Sequence, residues 1–94
     1  MENRIELSFR NSVSRLAGNK LGIDTYEKQV KEFVDLTKVN VIIIPDAIED
    51  IAISFVQGFT YEIFEEIRRT DFYKYFKIEG NKKVVDKFSK SVNY

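Results

Sequence analysis

Near the middle of the chain runs Val39-Asn40-Val41-Ile42-Ile43-Ile44, closed by Pro45. Branching at Cβ stiffens these side chains and suits them to a pleated sheet. The run hardly alternates, which predicts a central strand covered on both faces rather than one with a wet face. Pro45 ends it, having no N–H to give to a ladder. A strand of this kind cannot stand alone. The rest of the 94 residues must supply strands at its edges and helices to cover it.

Candidates for both are present. Ile5, Leu7 and Phe9 alternate with Glu6 and Ser8, predicting a half-buried first strand. Asp71 to Ile78 predicts another, with Phe72, Phe76 and Ile78 on one side and Tyr73, Tyr75 and Lys77 on the other. Arg10 to Gly22 reads as a turn or short helix around Val13, Leu16 and Ala17, followed by a loop. Asp24 with Glu27 forms a capping-box-like start for a helix whose stripe is Tyr26, Val30, Phe33, Val34 and Thr37. Glu27–Lys31 and Lys28–Glu32 decorate its other side at i, i+4 spacing. Ile48, Ile51 and Ile53 hold the segment after Pro45 to the core. From Ser54 the period lengthens, and Phe55, Val56, Phe59, Ile63, Phe64 and Ile67 share one helical face. Gly80-Asn81 makes a turn, with Asn81 capping a last helix that carries Val84, Val85, Phe88 and Val92. The order β–loop–α–β–α–β–α predicts an α/β fold: a single domain over residues 1–94, with a mixed or mostly parallel sheet and helices packed against it.

The chain contains no His and no Cys. That removes the commonest general base, imidazole and thiolate metal ligands, and the Cys nucleophile, so the expectation is a non-enzyme with no cofactor and no metal. Lys+Arg and Asp+Glu balance at 15 each, leaving no electrostatic footprint for nucleic acid. The opening Met1-Glu2-Asn3-Arg4-Ile5-Glu6 is charged, unlike a secretory signal, and the longest wholly apolar run, Val41 to Pro45, is far too short for a bilayer. A cytoplasmic protein that does not enter a membrane is expected.

Asp50-Ile51-Ala52-Ile53-Ser54-Phe55-Val56-Gln57 poses the functional question. Ser54 with Gln57 matches the S-x-x-Q capping box, a purely structural use worth about 0.5–2 kcal/mol. The same stretch resembles the STAS family, named after sulfate transporters and anti-sigma factor antagonists, and most nearly the STAS-like domain of unknown function found in bacterial proteins. The resemblance runs from Val41-Ile42-Ile43-Ile44 through Ala47-Ile48-Glu49-Asp50-Ile51 to Ser54-Phe55 and Phe64, then Lys77-Ile78-Glu79-Gly80-Asn81 and Val84-Val85. It implies a regulatory protein-binding domain in signalling, docked by an ATPase- or kinase-like partner around a serine that the partner can phosphorylate. Ala52-Ile53-Ser54-Phe55 stands where typical antagonists carry Asp-Ser-Ser-Gly. Carried onto this chain, Ser54 is the phosphorylation candidate, and Asp46, Glu49, Asp50, Ser54 and Gln57 are the candidate partner-binding residues.

Other patterns have simpler uses. Glu62, Glu65 and Glu66 with Asp71 read as a solvated helix face, with Glu65 reaching Arg68 or Arg69. Phe72-Tyr73-Lys74-Tyr75-Phe76-Lys77, near Arg68-Arg69 and Lys82-Lys83, has the aromatic and basic interleaving of single-strand nucleic-acid binders. A protein surface using Tyr73 and Tyr75 fits it better. Gly18-Asn19-Lys20-Leu21-Gly22 lacks the Lys-Ser/Thr pair of a phosphate loop, and a turn suffices. The alternative to a regulatory domain is a structural module that forms homo-oligomers through a sheet edge or the tyrosine strand; a single-stranded nucleic-acid binder ranks third.

Overall fold

The computed structural model describes residues 2–93. Its strands are β1 (Glu2–Glu6), β2 (Arg15–Leu16), β3 (Val39–Ile43), β4 (Asp50–Ile51) and β5 (Phe76–Glu79). Its helices are α1 (Asn19–Gln29), α2 (Ile53–Thr60), α3 (Ile63–Glu66), α4 (Phe72–Tyr75) and α5 (Lys82–Val92), with 3₁₀ turns at Lys31–Phe33 and Arg69–Asp71. The β-branched run is the middle strand: β1, β3 and β5 form one sheet in that order, all parallel. Parallel neighbours need long crossovers, and the helical segments supply them. β2 and β4 make a second, short parallel ladder. The α/β architecture expected from the alternation of elements is the one observed.

Coverage of the sheet differs from expectation. Ile5, Ile42 and Ile78 stand in register and belong to the core, as do Leu7, Ile44 and Phe76 of the same parity. The opposite face presents Arg4, Val41 and Lys77 in one row and Glu6, Ile43 and Glu79 in the next. Arg4 reaches across β3 to Glu79 at 3.0 Å, and Lys77 lies 3.8 Å from Glu79. Val41 is fully buried without being part of the core cluster. The stems of these long charged side chains roof it, so a nearly all-apolar strand has only one helix-covered face.

Helix boundaries also move. α1 begins at Asn19, directly after Gly18 at φ +101°, and not at Asp24. Asp24 lies inside the helix and accepts from Lys20 at 2.9 Å. Gly22 does not interrupt α1, because it is where α2 comes closest. A Cβ there would meet Phe55 O and, at 2.6 Å, Phe59 N, while one on Gly58 would meet Asn19 O. These glycines let the two backbones touch. α1 stops at Gln29, so Tyr26 and Val30 are buried but Phe33 is 55% exposed, and Lys31 pairs with Glu62 at 2.7 Å instead of Glu27.

The helix expected from Ser54 to Ile67 is broken into α2 and α3. The Thr60 hydroxyl donates to Val56 O, and Tyr61 N–H turns to Gly58 O three residues back, which tightens and ends the ladder. Phe72 to Tyr75 is helical, so the expected strand shrinks to Phe76–Glu79. Phe72 and Phe76 satisfy a period of two and an i, i+4 spacing alike. They stack at 5.2 Å. Tyr73 leaves any strand face and pairs its hydroxyl with Ser89 at 2.7 Å. Asn81 caps α5 as expected, accepting from Val84 N at 3.0 Å. Among the described residues no helix is long and apolar enough to cross a membrane.

Candidate functional site

The segment from Ser14 to Gly18 runs alongside Glu49 to Ser54. Glu49 N–H donates to Ser14 O at 2.7 Å, β2 pairs with β4, and Ala52 N–H donates to Leu16 O at 2.8 Å. The next rung uses a side chain: Gly18 N–H donates to Ser54 Oγ at 2.9 Å. α2 starts at Ile53 with Ala52 in the cap position, so Ser54 lies within the first turn and the Ser54–Gln57 capping box does not form. Ser54 is still structural, for the other helix. It ties down the residue from which α1 springs, and the half-buried hydroxyl sits where the N-termini of α1 and α2 converge.

Along α2 and its C-terminal end, Ile53, Gln57 and Tyr61 follow one another at four-residue spacing and all face solvent, Ile53 at 41% and Tyr61 at 61%. Ile53 is thus not pinned to the core as Ile48 and Ile51 are. Gln57 and Tyr61 line a groove of about 530 Å³ with Asn19 of α1, Glu65, Arg69 and Ser91 of α5.

The acidic residues before Ser54 part company. Asp50 is bound on both oxygens: Lys87 donates to Oδ1 at 2.7 Å and Arg15 to Oδ2 at 3.1 Å, with Lys83 at 3.8 Å. Hydrogen bonds from Lys87 and Arg15 hold its carboxyl well below the usual carboxylate range, against the opposing effect of burial. Asp50 therefore fastens β2 and β4 to α5. Asp46 and Glu49 are exposed; Asp46 lies beside Gly80 and Val85 at the C-terminal end of the sheet. The structure joins Ser54 to Gln57 along one helix and Asp50 to the cations, with no side-chain hydrogen bond or ion pair between the two sets among the described residues.

Glu65 and Glu66 are exposed, as expected of a solvated helix face, but Glu62 is less so. Glu62 is 21% exposed and holds Lys31, which lowers the Glu62 carboxyl and raises the Lys31 ammonium. The neighbouring Tyr26 is pushed up to about 12 by burial and by the charges of Glu66 and Glu62. Arg69 does not reach Glu65; it donates to Val92 O at 2.7 Å and lies over the Phe64 ring at 4.7 Å. Among the described residues no group of three or more acidic side chains is arranged to hold a metal ion.

Sequence reasoning passed over Asn40. It is fully buried on the central strand, accepts from Asn3 Nδ2 at 2.8 Å and Asp35 N at 2.9 Å, and donates to Asp35 O at 2.9 Å and Tyr75 O at 3.1 Å. One amide thus binds β1, the loop before β3 and the end of α4. The signal was visible: a lone polar residue inside a β-branched run must find partners or forfeit its burial.

Comparison with models of known protein families, with curated proteins and with solved structures finds no match.

Proposed function

We propose that this chain is a non-enzymatic, cytoplasmic regulatory domain that docks a protein partner on the surface around Ser54, the partner being an ATPase- or kinase-like regulator. The observation that carries this reading is the Ser54 hydroxyl between the starts of α1 and α2, beside the exposed row Ile53, Gln57 and Tyr61. The row offers apolar and aromatic area suited to an interface centre. Asp46 and Glu49 are free to make rim contacts, while Asp50 contributes by fixing the path of the loop. The resemblance to STAS antagonists supports the partner class.

A phosphate on Ser54 suits its surroundings. It would face unpaired amides and the positive ends of both helices, and Gly18 N–H would still find an oxygen to donate to. It would add about −1.5 to −2 charges to the docking surface. The fold would survive and the contact would not.

The test starts with purification of the tagged protein from its host and identification of what accompanies it by mass spectrometry. Binding to that protein is then measured by calorimetry for Ser54→Ala and Ser54→Asp. Ser54→Ala is expected to bind and to lose about 1 kcal/mol of stability with the Gly18 hydrogen bond. Ser54→Asp is expected to abolish binding while remaining folded. An unchanged affinity for Ser54→Asp would sink the switch, and the absence of any ATPase- or kinase-like companion would sink the partner class.

A further inference from the structure

β1 is an outermost strand of its sheet, with β3 on one side only. Leu7 N–H donates to Ile43 O, so in the alternation of a parallel ladder the odd-numbered residues of this segment turn their backbone groups toward β3. The even-numbered residues turn theirs outward. At Ser8 the outward groups are already taken, because the Gln29 side chain donates to Ser8 O at 2.9 Å and accepts from Ser8 N at 2.7 Å. That amide occupies the place of a next strand. Arg4 and Glu6 have no such cover, and no hydrogen bond to their outward backbone groups exists among the described residues. Beside them lies a cleft of about 230 Å³, bordered by Gln29 at one end and the 55% exposed Phe33 at the other.

An uncovered edge invites another strand, and its charges select which one. In an antiparallel pairing of β1 with β1 of a second copy, outward residues meet as hydrogen-bonded pairs. One register sets Arg4 against Glu6 of the other copy and Glu6 against its Arg4, with Ile5 on the two-fold axis. Shifting by one rung pair either way sets Arg4 against Arg4 with Glu2 against Glu6, or Glu6 against Glu6. Like charges directly opposite are unfavourable and opposite charges favourable. Of these three registers only the first complements itself. A further shift, with Asn3 on the axis, would set Arg4 against Glu2, which already has Arg4 of its own chain at 3.7 Å, and would leave Glu6 unpaired. Glu6 is exposed and has no cation partner among the described residues, and the first register supplies one. Arg4 retains donors for it beyond its bond to Glu79, since a guanidinium carries five. The same register sets Asn3 opposite Leu7 of the second copy, bringing Phe33 of each copy to the Gln29 end of the other's cleft.

We infer that this chain forms a two-fold dimer through antiparallel pairing of its β1 edges, extending its sheet across the axis, with reciprocal Arg4–Glu6 ion pairs fixing the register. The inference does not rest on the Ser54 reading. So short a paired edge makes a small interface, below about 1,200 Å² in total, and weak association is expected.

Sedimentation equilibrium over a concentration series reaching the millimolar range tests it, together with amide hydrogen exchange at Arg4 and Glu6. The wild type should dimerise and protect those amides as concentration rises. Glu6→Pro removes only an outward donor, so it should remain folded by circular dichroism and be monomeric. Arg4→Glu and Glu6→Arg should each weaken association roughly tenfold, and the double exchange should restore it. The rescue keeps the test decisive even if the proline variant fails to fold. A chain that stays monomeric at millimolar concentration overturns the inference, as does a dimer indifferent to both charge reversals. So does protection of Arg4 and Glu6 that arises only with an extended peptide from another protein, which would make the edge a receptor for foreign strands.

Discussion

Asp50 sets one carboxylate against Arg15 of β2 and against Lys83 and Lys87 of α5. Its carboxyl is depressed by folding, so the stability it contributes is present above the unfolded-chain value near ~3.9 and is lost as pH falls through the folded value. Melting temperatures of the wild type should therefore fall more steeply below about pH 4 than those of Asp50→Asn. The variant should be less stable at neutral pH, with the two curves converging in acid. Parallel curves would mean that Asp50 holds nothing together. Residue roles were legible where partners are local. Asn81 caps α5 through an amide three positions on, and that spacing can be read directly. Ser54 looked equally like a local cap, yet its partner is Gly18, 36 positions away, and no short pattern announces such a bond.

At the scale of elements, the α1–α2 crossing depends on backbone contact. Gly22 and Gly58 stand where any Cβ would strike main-chain atoms of the other helix, and main chain does not move aside as a side-chain tip would. Gly58→Ala should cost about 2 kcal/mol or more despite alanine's better helix propensity. Gly18→Ala meets nothing within 4 Å and is strained only by its φ of +101°, for about 1–2 kcal/mol. Urea midpoints should rank wild type above Gly18→Ala and Gly18→Ala above Gly58→Ala. The reverse order would show that the helices can part at little expense. This crossing also explains the misplaced start of α1. Glycine in a helix interior signals a break when propensity is all one has, and here the crossing overrides propensity.

Across the whole molecule a chain of rings joins the layers. Tyr26 meets Phe59 edge-on at 5.7 Å, Phe59 meets Phe88 at 5.9 Å, Phe88 stacks on Phe72 at 6.0 Å, and Phe72 stacks on Phe76 at 5.2 Å. α1, α2, α5, α4 and β5 are linked in turn, with Phe88 the ring that connects the two halves. Phe88→Ala should cost about 3–5 kcal/mol, a large share of the stability available to so small a domain. It should lower the stability of all elements together, seen as coincident loss of far-ultraviolet dichroism and tyrosine fluorescence. A variant melting within a few degrees of wild type would show that the network is incidental.

The sequence by itself determined the class of fold. A β-branched run between helical periods needs parallel neighbours and covering helices, and β3 became the centre of such a sheet because its side chains fit little else. It also determined the cap of α5 and the burial of Phe55, Phe59 and Phe88, since periodicity and local hydrogen bonding are written in adjacent residues. Tertiary structure decided which face of the sheet the helices cover, where α1 begins, and that Phe72 to Tyr75 coils before the last strand. It also decided that Ser54 serves a helix other than its own. Each of those outcomes involves a contact between residues far apart in the chain: Arg4 over Val41 to Glu79, Gly58 against Asn19, Tyr73 with Ser89, and Gly18 on Ser54. Composition and spacing are blind to such contacts until the chain has closed on itself.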